Sequence, residues 1–319
     1  MTKIIYLDLN VFTYLQSPRE KYKVADKLFY DLVQKLKGKY CFPYSQVHIF
    51  DLLKGSNEEY TKKDLLFIGK ISDDKIIGPD MENNELILDD FPPEECYKIS
   101  KEMERNEPDF PPINVLPFNF QVDMSQIKSD DFYYEYLSCN NGIMDSKSLE
   151  RYMEDKYKDF MDKPQMYKKI REDILDILDR IDISQLNSTE KQLIENVRPM
   201  IACWFDVDEE SLENNFVSAV KQYMKVSNIE FDLLSKQEQI QYSYHLLAIH
   251  PNFKDKIKNS AKNVVSNMVR DSSHLFYASK AKYFVTEDGT LVKKGNFIYK
   301  VLGIKTRVVL MSEFMQKFC

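Results

Sequence analysis

Glycine is scarce in this chain, at 8 of 319 residues, and there are only one tryptophan and four histidines. The glycine-rich loops that cradle phosphates are absent: neither a Walker loop nor a dinucleotide fingerprint occurs. No Gly-x-Ser-x-Gly elbow or Ser/His/Asp ordering points to acyl transfer. His48, His245 and His250 show no zinc spacing. The five cysteines (41, 96, 139, 203 and 319) are odd in number, widely spaced and never in a CxxC pair. Neither a zinc knuckle nor a disulfide framework is expected from them. No run approaches the roughly 18 apolar residues of a membrane span. Asp8 interrupts the only early apolar stretch, which argues against a signal peptide. These absences predict a reduced, cytoplasmic protein with no membrane segment.

What is present suits a helix-rich soluble fold: 43% hydrophobic residues, enough for a core, and 30% charged residues. The net charge of −7 is unevenly spread. Residues 1–72 carry 12 Lys and Arg against 8 Asp and Glu, and residues 254–319 carry 13 against 5. The stretch between them holds 19 against 38. Nucleic-acid binding needs a local basic surface, not a basic whole, and the two flanks supply one. Solvated lysine-rich helices are the plainer reading of any one cluster.

The periodicity follows the same division. Residues 3–7 read as a buried strand. A helix is predicted over 21–37, with Val24, Leu28, Leu32 and Leu36 on one face, closed by Gly38. Tyr40–Pro43 reads as a second strand, Ser45–Leu53 as a helix with Ser45 as its cap, and Thr61–Ile71 as helix again. That β-α-β-α order implies a parallel sheet with right-handed crossovers. Seven of the 12 prolines then fall between Pro79 and Pro117, and this stretch reads as extended, irregular or partly disordered. Apolar stripes at Ile170–Ile181 and Leu193–Ile201, then helices at Ser211–Val226 and Lys236–Ile249, predict a helical insertion. The α/β pattern resumes with a helix around Asp271 and strands at 282–286 and 306–310.

The chemistry is carried by acids at strand ends. Asp8 follows Ile4-Ile5-Tyr6-Leu7, with Asn10 just after; Asp271 lies on the helix before Tyr283-Phe284-Val285; Asp288 ends that strand. A carboxylate at the end of a parallel strand faces the crevice where open α/β sheets bind ligands. Acids gathered there from both ends of a chain suit a divalent metal. Each has a plainer reading: a helix cap for Asp8, a turn at Asp288–Gly289, and a surface acid for Asp51. Most of the 20 Tyr and 20 Phe are expected in the core, with base stacking as their rival role.

Together these motifs resemble the PIN-domain nucleases. Asp8 and Asn10 match the opening acid motif. Asp271-x-x-His274 followed by Tyr-Ala matches the helix-borne acid, and Thr286 with Asp288 the closing motif. LGIKTRVVLMSEFMQKF resembles the family's last strand and helix. Asp51 stands where the family more often has Glu, and Glu287 replaces the usual Asn. The resemblance covers roughly residues 1–78 and 254–319. It implies a PIN-like parallel-sheet α/β sandwich, split by a large, mainly helical, acidic insertion over 79–253. It implies that Asp8, Asp51, Asp271 and Asp288 are catalytic and hold Mg²⁺ or Mn²⁺, and that Asn10 and Thr286 orient them. Ser45 is either a further orienting group or only a helix cap. His274 is either a contact to phosphate or to a ligating acid, or a structural histidine. Lys293 and Lys294 are expected at the rim, on nucleic acid. The implied activity is a metal-dependent endonuclease, on RNA in preference to DNA, leaving 5′-phosphate. Many such proteins are toxins or defence effectors, so the insertion is expected to mask the cleft or bind a protein partner or inhibitor. The alternative is a catalytically weakened PIN-like module that binds RNA or protein. A HAD-type phosphatase would need a second Asp at position 10, and Asn10 cannot serve as its general acid.

Overall fold

Four apolar residues in a row, Ile4 to Leu7, present no polar face, which is the mark of a strand covered on both sides. In this computed structural model they lie in β1 (Lys3–Leu7), and all four are buried. The structure describes residues 3–55, 57–80, 85–104, 119–129, 134–145, 209–226, 229–250, 252–253 and 265–318, with single positions at 184, 188 and 191. The expected stripes at 170–181 and 193–201 lie outside these residues. The chain forms two units. The first comprises Met1–Glu107, Ser235–Tyr244 and Arg270–Cys319; the second comprises Pro108–Leu234 and His245–Val269.

After β1 come α1 (Leu9–Gln16), α2 (Lys23–Leu36), β2 (Tyr40–Cys41), α3 (Gln46–Leu53), α4 (Glu58–Ser72), β3 (Lys75–Pro79), β4 (Leu86–Asp90) and α5 (Pro93–Glu104). The later part contains α6 (Lys236–Ile249), α7 (Val265–Ala278), β5 (Tyr283–Thr286), α8 (Gly289–Val301), β6 (Arg307–Leu310) and α9 (Met311–Phe318). The protein is thus mixed α/β, with a four-stranded parallel sheet in the order β2-β1-β5-β6. Leu7 lies opposite Val285, so the two ends of the chain are neighbours in the sheet. A single parallel bridge from Tyr44 to Ile76 brings β3 alongside the β2 side. The core of this unit includes Leu7, Phe12, Phe29, Val33, Val285 and Phe314.

Two local expectations need correction. In α2 the buried face is Phe29, Leu32, Val33 and Leu36, while Val24 and Leu28 are exposed. Two stripes of helical spacing compete there, and the one carrying the larger Phe29 faces the core. The described part of the proline-rich stretch, 79–80 and 85–104, is also more regular than expected. β3 and β4 form an antiparallel hairpin, and α5 starts at Pro93. Proline in the first turn of a helix forfeits no needed donor, and Glu94 and Glu95 favour the positive end of the helix dipole.

The second unit's described part contains a small antiparallel pair, Asn119–Gln121 with Ile143–Asp145, and helices Tyr134–Cys139 and Glu209–Val226. Val122, Tyr136, Leu137 and Met144 form its small core.

Gly295 lets α8 approach its neighbours closely. A Cβ there would stand 2.7 Å from Leu275 Cδ2 and 2.8 Å from Val308 Cγ2. Gly295→Ala is therefore expected to lower stability by about 1–3 kcal/mol despite alanine's better helix propensity. A denaturant midpoint equal to or above that of the unsubstituted protein would refute this.

Candidate functional site

Asp8 and Asp288 stand at the carboxyl edge of the parallel sheet because each follows a strand, whereas Asp51 lies on α3 and Asp271 within α7. Asp8 follows β1 directly. Its backbone N–H still donates to Val285 O (2.9 Å), while its Oδ1 accepts the Leu9 N–H (2.7 Å) and caps α1. Its Oδ2 accepts the Thr286 hydroxyl at 2.6 Å. Thr286 Oγ1 also accepts the Asp288 N–H (3.1 Å), so one buried hydroxyl ties the ends of β1 and β5 together. Asp288 caps α8 through the N–H groups of Thr290 (2.7 Å) and Leu291 (3.1 Å), and its side chain is exposed. Asp271 is half-buried on α7 and accepts the Tyr244 hydroxyl at 3.0 Å.

Asp51, on α3, is held differently. Its Oδ1 accepts Arg270 Nε at 2.7 Å, and its Oδ2 accepts His274 Nε2 at 3.1 Å. Arg270 and His274 are four residues apart on α7, so both reach Asp51 from one face. His274 Nε2 also lies 3.9 Å from Asp8 Oδ1, so Asp8 and Asp51 both stand near the same ring nitrogen.

Behind His274 runs a buried polar chain. His274 Nδ1 lies 2.9 Å from Tyr6 Oη, which lies 2.6 Å from Ser45 Oγ. His48 Nδ1 accepts the Ser45 N–H (2.9 Å), and its Nε2 lies 2.8 Å from Leu7 O. The tautomer that satisfies both contacts has Nε2–H donating to that carbonyl. Ser45 is thus the cap of α3, in a capping box with His48. It reaches the acids only through Tyr6 and His274.

Burial pushes Asp8 up from the usual carboxylate range. Burial, then the charges of Asp288 and Asp8, pushes Asp271 up to about 7. Burial would also raise Asp51, but the His274 bond and the Arg270 charge more than reverse it and hold Asp51 low. His274 is the mirror case: burial would lower it, yet Asp51 and Asp8 raise it, favouring the imidazolium. His48, lowered to about 3 by burial and by His274, stays neutral.

Among the described residues, no three His, Cys, Asp or Glu side chains stand close enough to hold a metal ion. Mg²⁺ demands less than three, since it keeps several waters and uses one or two carboxylates. Asp8 and Asp271 are all-oxygen donors of the right hardness and carry crowded negative charge. Asp51 does not fit a ligand's role, because both its oxygens are already engaged by cationic side chains.

Two expected site residues stand elsewhere than foreseen. Lys294 is 0% exposed, with its Nζ 5.0 Å from the Tyr244 ring centre, so it cannot line an open rim. Lys293 beside it is exposed. For Asn10, no bond to an acid is seen among the described residues, and its acceptor Oδ1 is buried without a partner there. Glu287 accepts Arg19 Nη1 at 2.8 Å and so is anchored beside Asp288. Tyr6, His48, Tyr244 and Arg270 were missed by motif reading. Only Arg270 had a local signal, its helical spacing to His274.

No protein-family model, no curated protein and no solved structure matches this chain.

Proposed function

We propose that this protein is a PIN-like, divalent-metal-dependent endoribonuclease. The observation that carries this reading is that Asp8, after β1, and Asp288, after β5, both act electrostatically on Asp271 of α7. Burial, then the charges of Asp288 and Asp8, pushes Asp271 up to about 7. Acids this close raise one another's pKa, and a cation bound among them would offset the repulsion that remains beside His274. The buried, unpartnered Asn10 Oδ1 two residues after Asp8 supports it, since buried acceptors usually have a partner.

In this reading Asp8 and Asp271 bind Mg²⁺ or Mn²⁺, with Asp288 beside them. The ion would supply an ionised water and offset charge developing on the phosphate. Thr286 fixes the Asp8 carboxylate. Tyr244 fixes Asp271 by donating its hydroxyl to Oδ2. Lys293, on α8 shortly after Asp288, offers an exposed cation to the phosphate backbone. The acidic central segment would recruit a protein partner or inhibitor, as in a toxin or defence effector.

The test is incubation of single-stranded RNA with the protein in Mn²⁺ and, separately, in chelator. Internal cleavage with 5′-phosphate products is expected only with metal. A second reading, an RNA- or protein-binding module without hydrolysis, draws on Asp51 being neutralised by Arg270 and His274. RNA binding with no cleavage under any divalent metal would favour it.

Lys293→Glu is expected to weaken RNA binding alike across sequences and to reduce the slope of log affinity against log salt by about one. An unchanged slope would remove Lys293 from the interface. Lys294→Glu is expected to impair folding instead, because it buries an acid where a fully enclosed lysine now sits.

A further inference from the structure

We propose that the opposite, amino edge of the sheet carries a second site, a lysine-lined cavity that takes a small phosphate-bearing molecule. The cavity has a volume of about 570 Å³. That is far more than an inorganic ion fills, and it falls within the roughly 300–1,000 Å³ of small-molecule sites. Several elements build it where they begin or end. Lys3 opens β1, Lys37, Gly38 and Lys39 link α2 to β2, Cys41 ends β2, and Lys75 opens β3. All of them belong to the first unit. Asp8 and Asp288 follow their strands at the other edge, so this cavity and the acids are separate places on one sheet.

The charges around the cavity select the ligand. Two of the four lysines are engaged within the protein. Lys37 Nζ donates to Lys70 O at 2.7 Å and to Asp73 Oδ1 at 2.5 Å, and Lys75 pairs with Asp90. The Lys37 contacts answer the negative carboxyl end of α4. Lys3 and Lys39 have no carboxylate partner among the described residues. Lys39 Nζ lies 5.9 Å from the Tyr40 ring centre, a weak contact for an exposed ammonium. Two uncompensated ammonium groups match the double negative charge of a phosphate monoester, and lysine binds phosphate as a point charge. Tyr40 and Leu88 add apolar lining, which suits an organic group carried by that phosphate. Burial pushes the half-buried Cys41 thiol up, so Cys41 is a lining group here and not a nucleophile. A Cβ on Gly38 would meet no atom within 4 Å, which leaves room to close the cavity by substitution.

The experiment titrates the full chain, in chelator, with adenosine 5′-monophosphate, with pyrophosphate and with adenosine. Calorimetry reads binding, and mass spectrometry reads protection of Cys41 from alkylation. Saturable binding of a phosphate-bearing probe, with Cys41 protected, is expected; adenosine should do neither. Tighter binding of the monophosphate would assign the apolar wall to a nucleoside, and tighter binding of pyrophosphate would assign the cavity to a polyphosphate. Lys3→Gln/Lys39→Gln is expected to lower affinity about tenfold or more without lowering the melting temperature, since both lysines are exposed. Gly38→Leu should abolish protection. No binding of either phosphate probe, binding that leaves Cys41 unprotected, adenosine as tight as its monophosphate, or affinity unchanged in the double variant would each overturn the site. Protection by single-stranded RNA with none by the small probes would make this edge an RNA surface and overturn it too. The unsubstituted protein decides the matter if a variant does not fold, and neither result bears on cleavage at the acids.

Discussion

Asp271→Asn is expected to cut Mn²⁺-dependent RNA cleavage by at least about a thousandfold, the several kcal/mol that metal-held charge stabilisation contributes. The same change is expected to raise the melting temperature of the metal-free protein at pH 8. The two effects have one cause. Folded Asp271 holds its proton up to about 7, well above its usual 3.8, because it is buried and faces Asp288 and Asp8. Below both values the group is neutral in either state and does not affect stability. Between them the unfolded chain has released a proton that the folded chain keeps, so stability falls as pH rises, and the loss is complete above about 7. The shift corresponds to roughly 2–4 kcal/mol, and asparagine, which cannot ionise, escapes the penalty. The variant should therefore melt higher than the unsubstituted protein at pH 8 and alike near pH 4, measured in chelator. Cleavage like that of the unsubstituted protein would remove Asp271 from the site. A variant less stable at pH 8 would show that the acids are not electrostatically crowded.

How much of this could be read in advance depended on the range of the interaction. The β1 strand and the helix Lys236–Ile249 match their expected positions because their signals are local runs and periods. Asp8 and Asp288 were legible for the same reason: an acid at the end of an apolar strand is a neighbour effect along the chain. The role of Asp51 was not. Its partner His274 is 223 residues away, and no spacing in either segment announces the pair. Tyr244 is a similar case. It falls inside the stretch expected as insertion, yet Ser235–Tyr244 belongs to the unit with the sheet. Lys294 is the opposite lesson. Leu291, Lys294, Gly295 and Ile298 fall at helical spacing on the buried side of α8, so its burial was written in the period and was obscured by its charge.

Glu287 is held by Arg19, and Arg19→Ala is expected to destabilise the protein by about 3 kcal/mol. The Arg19 guanidinium donates to Asp26 through Nε (3.0 Å) and Nη2 (2.7 Å), and through Nη1 to Glu287 (2.8 Å). It lies over the rings of Tyr14 (3.8 Å) and Tyr22 (4.6 Å). Asp26 exposes no surface, so removing Arg19 leaves a buried carboxylate with only the backbone N–H of residue 19 as a partner. Burial alone would raise Asp26, but Arg19 outweighs it and holds the carboxyl below its usual value. That sign sets the pH dependence. A depressed folded value contributes stability that is present above the unfolded value of 3.8 and is lost as pH falls through the lower folded one. The deficit of Arg19→Ala should therefore be largest near neutral pH and shrink below about pH 4. Arg19→Lys should recover little, since an ammonium cannot make the forked contact to Asp26 or stack as a plane on Tyr14. Arg19→Ala/Asp26→Asn should recover a large share, because no lone charge stays buried. Denaturant melts of the four proteins at pH 7 and pH 3.5 distinguish these outcomes. A double variant no more stable than Arg19→Ala would mean that the ring packing, not the ion pair, holds this corner beside Asp288.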